Sequence, residues 1–333
     1  MATVGDTFTT LADLRRMQNK DDTIADIIEV MAKQLDMLSD APAVECNSGD
    51  EHLTTIRSGL PAPTWRKLYQ GVQPTKGTTT QVKDSTGYLE DWSEIDAKLV
   101  EKAKNPQKFR MNGAKSHLMG IAHAIGETVI YGDTDVNPER FTGLEPRYNS
   151  LTAPNGNQII DAGGLNSDNT SVWFVGWGEN GTHLLYPEGS PLGIRRDDKG
   201  MQTKELADGS LYDVYREKYA QDIGLSVNDW RNNARIANID VTLLSADPAV
   251  DGGPDLIDLM ITAYYRLDNP GSGMVNTVIY CSRTIAEYLH KQAMKGKNVN
   301  LTLSEVDGRP VVSFLGHPIR RMDSLLETEA RVV

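Results

Sequence analysis

Between Thr54 and Lys83 the chain runs for thirty residues without an acid, although its formal net charge is -12. Arg57, Arg66, Lys67, Lys76 and Lys83 give this stretch a local charge of +5. Gly59, Pro61, Pro63, Gly71, Pro74 and Gly77 interrupt it so often that no long helix fits, while Thr78, Thr80 and Val82 alternate with Thr79 and Gln81 as in a strand. An extended arm is expected. Loops beyond ~12 to 15 residues are uncommon in compact domains unless functional or disordered, so this one is either a linker or a segment that folds against something else. Trp65-Arg66, next to Leu68 and Tyr69, has the composition of a buried interface anchor, the alternative being that Trp65 tucks back onto its own body.

At 333 residues the chain exceeds the ~250 to 300 at which one core stops growing, so two lobes or one lobe with large excursions are expected. Hydrophobic residues make up 39% and charged residues 24%, which sets the chain apart from disordered polymers. No apolar run approaches the ~20 residues of a membrane span, and the first residues lack the basic-then-apolar layout of a signal peptide, so the expected partners include no membrane and the expected site of synthesis is the cytoplasm. The acidic balance argues against a protein that grips a duplex.

From Met1 to Glu51 eleven acids face four bases, a segment charge of -7. Ile24, Ile27, Ile28, Met31, Leu35 and Leu38 recur at helical spacing, and Thr10 with Asp13 resembles a capping box. This acidic helical leader either packs on its own body or meets the basic stretch of a neighbour. Further on, Asn105 and Pro106 open a helix to Tyr131 with Ala114, Leu118, Ile121, Ala122, Ile125 and Val129 on one side, roughly 39 Å long. Strands are expected at Ser171 to Trp177 and Thr182 to Tyr186, joined as a hairpin through Gly178-Glu179-Asn180-Gly181, and again at Leu225 to Trp230 and Arg235 to Val241. Asp255 to Tyr265 reads as a helix apolar nearly all round. A strand at Met274 to Tyr280, a helix at Arg283 to Lys295, a strand at Val311 to Leu315 and another from Gly316 to Met322 complete the chain.

Chemistry-bearing motifs fail on context. Gly176 to Gly181 matches GxGxxG, but a strand follows where a pyrophosphate site needs a helix N-terminus. Asp133, Asp135 and Asn137 open like a calcium loop, yet Pro138 and Leu144 stand where Gly and Glu belong. The six histidines form no metal-binding pair, Cys46 and Cys281 have no local partner, and no nucleophile motif occurs, so no catalytic residue, no metal and no cofactor is expected.

Three stretches carry a resemblance. Arg57 to Asp96 (RSGLPAPTWRKLYQGVQPTKGTTTQVKDSTGYLEDWSEID), Phe141 to Leu151 (FTGLEPRYNSL) and Val227 to Asp240 (VNDWRNNARIANID) together resemble the major capsid proteins of tailed bacteriophages, particularly short-tailed ones. The resemblance implies an α+β fold of the tailed-phage and herpesvirus capsid type, with an N-terminal arm (1–53), an extended β-hairpin loop (54–90), a peripheral lobe with a long spine helix and β-rich middle (91–240) and an axial lobe with the C-terminal return (241–333). It implies a structural protein of the virion, with no enzymatic activity, that assembles with itself as hexamers and pentamers of an icosahedral shell. Separate scaffolding, portal and decoration proteins and non-specifically packaged DNA are its implied partners. Arg57, Trp65, Arg66, Lys67, Leu68, Tyr69, Lys76 and Lys83 become the expected subunit-interface residues, and Lys76 the lysine available should relatives' covalent cross-linking apply. A bacterial cargo-compartment shell of the same fold, or a soluble oligomeric enzyme with a nucleotide site at Gly176 to Gly181, are the competing readings.

Overall fold

The computed structural model describes residues 36–244, 253–268, 270, 275–294, 301–306 and 309–333. The expected leader helix through Ile24 and Met31, with the capping box at Thr10, lies outside the described residues. The chain divides into two compact units: a smaller one that includes Tyr88–Gly126 and Pro191–Asp222, and a larger one containing residues 36–87, Glu127–Ser190 and Ile223–Val333.

The larger unit begins with a short helix α1 (Asp36–Asp40), strand β1 (Ala43–Glu45) and strand β2 (Glu51–Gly59), which pairs antiparallel with the start of the long strand β3 (Thr78–Asp96). The smaller unit takes the second part of β3, then α2 (Ala97–Lys102) and most of α3 (Pro106–Tyr131). The long helix therefore forms where its caps predict. The Asn105 side chain accepts the Lys108 amide at 3.1 Å, and Pro106 takes the first turn where its missing N–H costs nothing. It ends at Gly132, where a Cβ would approach the Phe141 carbonyl oxygen to 2.3 Å.

Beyond α3 the larger unit contains β4 (Ile159–Asp161), β5 (Asn169–Trp177) and β6 (Thr182–Tyr186). The smaller unit then adds β7 (Arg195–Glu205) and the first two-thirds of β8 (Leu211–Val227). The rest of the chain, β9 (Ala234–Asp240), α4 (Leu256–Arg266), β10 (Asn276–Cys281), α5 (Arg283–Met294), β11 (Leu301–Val306), β12 (Arg309–Phe314) and β13 (His317–Arg321), belongs to the larger unit. Its core lies between α4, α5 and the strands, where Val172, Phe174, Ile236, Ile239, Met260, Ile279, Ile285, Leu289 and Phe314 pack together. Each such side chain contributes roughly 1.5 to 3 kcal/mol by leaving water. No helix among the described residues is long and apolar enough to cross a membrane.

Three expectations change. The antiparallel hairpin across Gly178 to Gly181 does not form: β5 is buried at every residue and has both edges occupied, Trp173 lying opposite Arg235 of β9 and Tyr280 of β10. The turn therefore carries β6 away to pair antiparallel with β8 and parallel with β1, touching β5 only through the parallel bridge Trp177 to Thr182. The glycines serve close packing, since a Cβ on Gly181 would lie 2.5 Å from the Gly176 carbonyl oxygen. Second, α4 is buried only on the stripe Leu256, Ile257, Met260 and Ala263, because one face alone meets the sheet, and Tyr265 is exposed. Third, Leu225 to Trp230 is the end of a seventeen-residue strand, which stops at Val227.

The smaller unit has little apolar core, Ile95, Leu99, Val100, Ala103 and Phe109 with Tyr215 against them. Charge does much of the rest. Buried Glu217 accepts from Arg110 at 2.5 Å, Arg196 at 2.8 Å and the Tyr219 hydroxyl at 2.5 Å, while Arg110 also reaches Asp198 at 2.6 Å. Burial alone would raise the Glu217 carboxyl, but the hydrogen bonds from Tyr219, Arg196 and Arg110 together hold it below the ordinary range. Glu94 is likewise bound by Lys204 and by Arg216 at 2.6 Å. His117 stacks on Tyr219 with rings 5.4 Å apart and meets Asp91 at 2.5 Å.

Candidate functional site

The expected arm is a β-hairpin with a long open end. From Glu51↔Ser85 to Gly59↔Thr78 the strands are paired, with an irregularity between Arg57 and Gly59. Residues 60–77 then form no strand or helix and are exposed throughout. Little ties this end together. Thr75 Oγ1 donates to the Ala62 carbonyl at 3.3 Å, and at the neck Ser58 Oγ donates to Thr78 Oγ1 at 3.1 Å. Lys67 to Gln70 closes a turn through the Gln70 amide and the Lys67 carbonyl at 3.2 Å, and Tyr69 takes φ +64 within it. That left-handed conformation disfavours a residue with a Cβ, so the apex holds local strain.

The expected site residues divide into two groups. Trp65, Leu68 and Tyr69 share the tip, and all three are exposed, Trp65 at 101% and Tyr69 at 103%. Among the described residues Trp65 does not tuck back onto its own chain. Arg66, Lys67 and Lys76 accompany them, and Arg57 lies exposed on β2. None of these four cations pairs with a carboxylate among the described residues. Lys83 is different: its ammonium meets Glu51 at 2.5 Å across the hairpin, so it closes the root of the loop. Other leader acids are also engaged within the chain, Asp40 with Arg320 at 2.9 Å and with the Tyr280 hydroxyl at 2.8 Å.

A cleft of about 320 Å³ opens at the loop's root, lined by Ile56 and Val82 of the hairpin with Arg147, Tyr148, Pro154, Asn155, Val227 and Trp230. Its polar groups are fixed. The Arg147 guanidinium donates to Asp84 at 2.8 Å and to the Leu225 carbonyl at 3.2 Å, and Asp84 accepts the Ser226 hydroxyl at 2.8 Å. The Tyr148 hydroxyl donates to the Trp230 carbonyl at 3.0 Å, and burial raises that phenol above its ordinary range, so it stays a neutral donor. Thr54 Oγ1 donates to Asn228 Oδ1 at 3.0 Å and so fastens the hairpin to the segment that ends β8.

The arm's residue types point to the tip and say nothing of the cleft, whose walls come from four separate stretches of chain. Arg147, Tyr148 and Trp230 do fall within the stretches that carry the resemblance. Also absent from the expectations is the β7–β8 hairpin, whose turn at Asp208-Gly209 is an ordinary hairpin signal. Among the described residues no group of three or more His, Cys, Asp or Glu side chains is placed to hold a metal. Asp133 instead accepts the Asp135 amide within its own turn.

Comparison with known proteins supplies a context for this surface. The family model described as major capsid protein GP7 matches residues 19–333. The chain is similar to one in the near-atomic structure of bacteriophage epsilon15, with 43% identity, 100% of this chain and 99% of that chain covered, and a TM-score of 0.77. The capsid of Myoviridae phage XM1 matches at 10% identity over 69% of this chain and 98% of that one, with a TM-score of 0.42. The encapsulin complex of Synechococcus elongatus matches at 9% identity over 70% and 97%, with a TM-score of 0.45. These last two are too distant to carry an argument. No curated protein matches.

Proposed function

The chain belongs to the GP7 family of major capsid proteins, and from that premise we propose that residues 57–83 are the strap by which one shell subunit holds the next. The protein is a structural subunit of a phage head and has the α+β capsid fold. The observation that carries the strap reading is the tip. Trp65, Leu68 and Tyr69 face solvent together beside cations that lack carboxylate partners among the described residues. Exposed large aromatics of this kind mark interaction surfaces, and isolated chains hide them when they can.

The strap works through many modest contacts. Each subunit of a closed shell repeats the same tip contact, so weak contacts sum through multivalency. Solvent-exposed ion pairs contribute only ~0 to 1 kcal/mol each, so Arg57, Arg66, Lys67 and Lys76 set register and on-rate, and the aromatic tip supplies most of the affinity. Lys83 acts within its own subunit by joining β3 to Glu51. In this reading the protein works by assembly and catalyses nothing. Scaffolding, portal and decoration proteins are its further partners, and the net charge of -12 lets packaged DNA lie against the shell without adhering. The cargo-compartment reading is not favoured, since the matching family is that of phage capsids.

Gly59 and Thr78 are already paired, which fixes the test. Replacing residues 60–77 with Asn-Gly keeps the β2–β3 ladder and closes it with a two-residue turn. The expected product is a folded subunit with unchanged circular dichroism that forms no shells by sedimentation and negative-stain microscopy. Normal shells from this variant would remove the strap from the assembly mechanism.

A further inference from the structure

We propose that the cleft at the root of each loop is the receptor for the Trp65 tip of a second copy of this chain. The inference rests on the strap reading and names what the strap grips.

The shapes correspond. The cleft's roughly 320 Å³ lies at the lower end of the ~300 to 1,000 Å³ of ligand clefts, enough for one large side chain. Ile56, Val82, Tyr148, Pro154, Val227 and Trp230 give it apolar and aromatic walls. Arg147, held by Asp84 and by main-chain carbonyls, places a fixed guanidinium in the lining, where an indole face gains a cation–π contact. An indole suits that lining better than a charged or flexible side chain does.

The occupant comes from another copy. Ile56 and Val82 are the root of the loop whose tip is Trp65, and the nine residues from Ile56 to Trp65 span up to ~30 Å when extended. In its own chain Trp65 stands fully exposed and leaves the cleft open. A tip-to-root contact between copies is heterologous, each subunit giving its tip to one neighbour and its cleft to another, and such contacts form rings when the rotation between copies closes, as a closed shell requires.

Charge favours the same pairing. The arm carries +5 in a chain of -12, so everything outside it sums to -17. Glu179, exposed and paired with no cation among the described residues, accepts from Asn228 Nδ2 through its backbone carbonyl at 2.7 Å, one residue along the chain from the lining residue Val227. Arg66 and Lys67 follow Trp65 directly and so approach a partner whose charge outside its own arm is negative when the indole enters.

The test places cysteines beside the two partners and leaves Trp65 in place. Cys46 and Cys281 are buried, so a double variant Thr64→Cys, Pro154→Cys presents new thiols at tip and rim. In assembled particles a short bismaleimide is expected to join chains into a covalent ladder that ends in closed rings, with no ladder from either single variant. Mixing the two single variants should give dimers only. Asn157→Cys, two residues from Asn155 on the exposed side, replaces Pro154→Cys if that variant does not assemble. Trp65→Ala should raise the protein concentration needed for assembly by roughly 30-fold, the loss of one anchoring aromatic. Shells that form normally but show no tip-to-rim ladder, or that link tip to tip, overturn the cleft as receptor while leaving the strap intact. Assembly by the loop-shortened subunit would instead defeat the strap itself.

Discussion

The C-terminal tail is held by a buried ion pair, and removing one partner should loosen the larger unit. Arg235 and Glu329 are both buried, and Arg235 Nη2 donates to Glu329 Oε2 at 2.9 Å. The guanidinium also donates to Ser171 Oγ at 3.0 Å, to the Tyr148 carbonyl at 2.8 Å and to Glu145 at 3.3 Å, and it lies 5.0 Å from the Trp173 ring. Glu329 further accepts the Tyr131 hydroxyl at 2.5 Å. Glu329→Ala therefore strands a nearly fully buried cation with, among the described residues, only the partly exposed Glu145 as counter-charge, and leaves the Tyr131 hydroxyl without this acceptor. Breaking one side of such a pair costs about 3 to 5 kcal/mol. For a unit of this size each kcal/mol moves the midpoint by about 2 to 4 °C, so the expected loss is on the order of 10 °C. The assay is differential scanning calorimetry of unassembled subunits, with carboxypeptidase release of the tail as a local readout. Beyond the pair the tail is held by main-chain contacts such as the Glu329 amide to the Asn169 carbonyl at 2.9 Å, by side chains such as Asn238 on Val332 and the Thr170 hydroxyl on the Leu326 carbonyl, and by burial of Leu325 and Val332. The double variant Arg235→Met, Glu329→Leu should recover most of the loss, since an apolar pair leaves no charge unpaired. A Glu329→Ala loss below about 1 kcal/mol, or a double variant worse than the single one, would refute the assignment of the tail's stability to this pair.

Two other outcomes follow from the structure. In the smaller unit Glu217 has a folded pKa below its unfolded one, so its contribution is complete above the ordinary glutamate range and disappears as pH falls through the folded value. Acid melting of that unit should therefore steepen below about pH 4, and Glu217→Gln should flatten that slope while lowering stability at neutral pH; an unchanged acid profile would contradict this. Burial pushes the Cys281 thiol up to about 12, and burial with Asp50 and Glu45 pushes Cys46 up to about 11, so neither should react with iodoacetamide at pH 7.5 until the protein is unfolded; rapid labelling of the native subunit, read by mass spectrometry, would overturn that.

Much of the architecture was legible because it is local. Asn105, Pro106 and the three- and four-residue apolar spacing locate α3 to the residue, and the acid-free, Gly- and Pro-punctuated run locates the exposed loop. Local signals failed where pairing is decided at long range. Gly178 to Gly181 reads as a hairpin turn, but the edges of β5 are filled by β9 and β10, strands that arrive tens of residues later, and so β6 is turned toward β8. The strand β7 escapes the sequence reading because its half-buried alternation falls on Gly200, Gln202 and Lys204, which carry no apolar signal, and because it is held by ion pairs such as Arg196 to Glu217.

By itself the sequence determined that the basic stretch is extended, that it bears an aromatic and cationic tip, and that it lies in an acidic protein, because composition, proline and glycine act within a few residues of themselves. Tertiary structure decided that Trp65 has no shelter among the described residues of its own chain, that Lys83 is committed to Glu51, and that Ile56, Val82, Arg147, Tyr148, Val227 and Trp230 enclose a cleft beneath the loop. Those facts depend on stretches as far apart as residues 56 and 230, brought together by burial of a common core, and no local spacing encodes them.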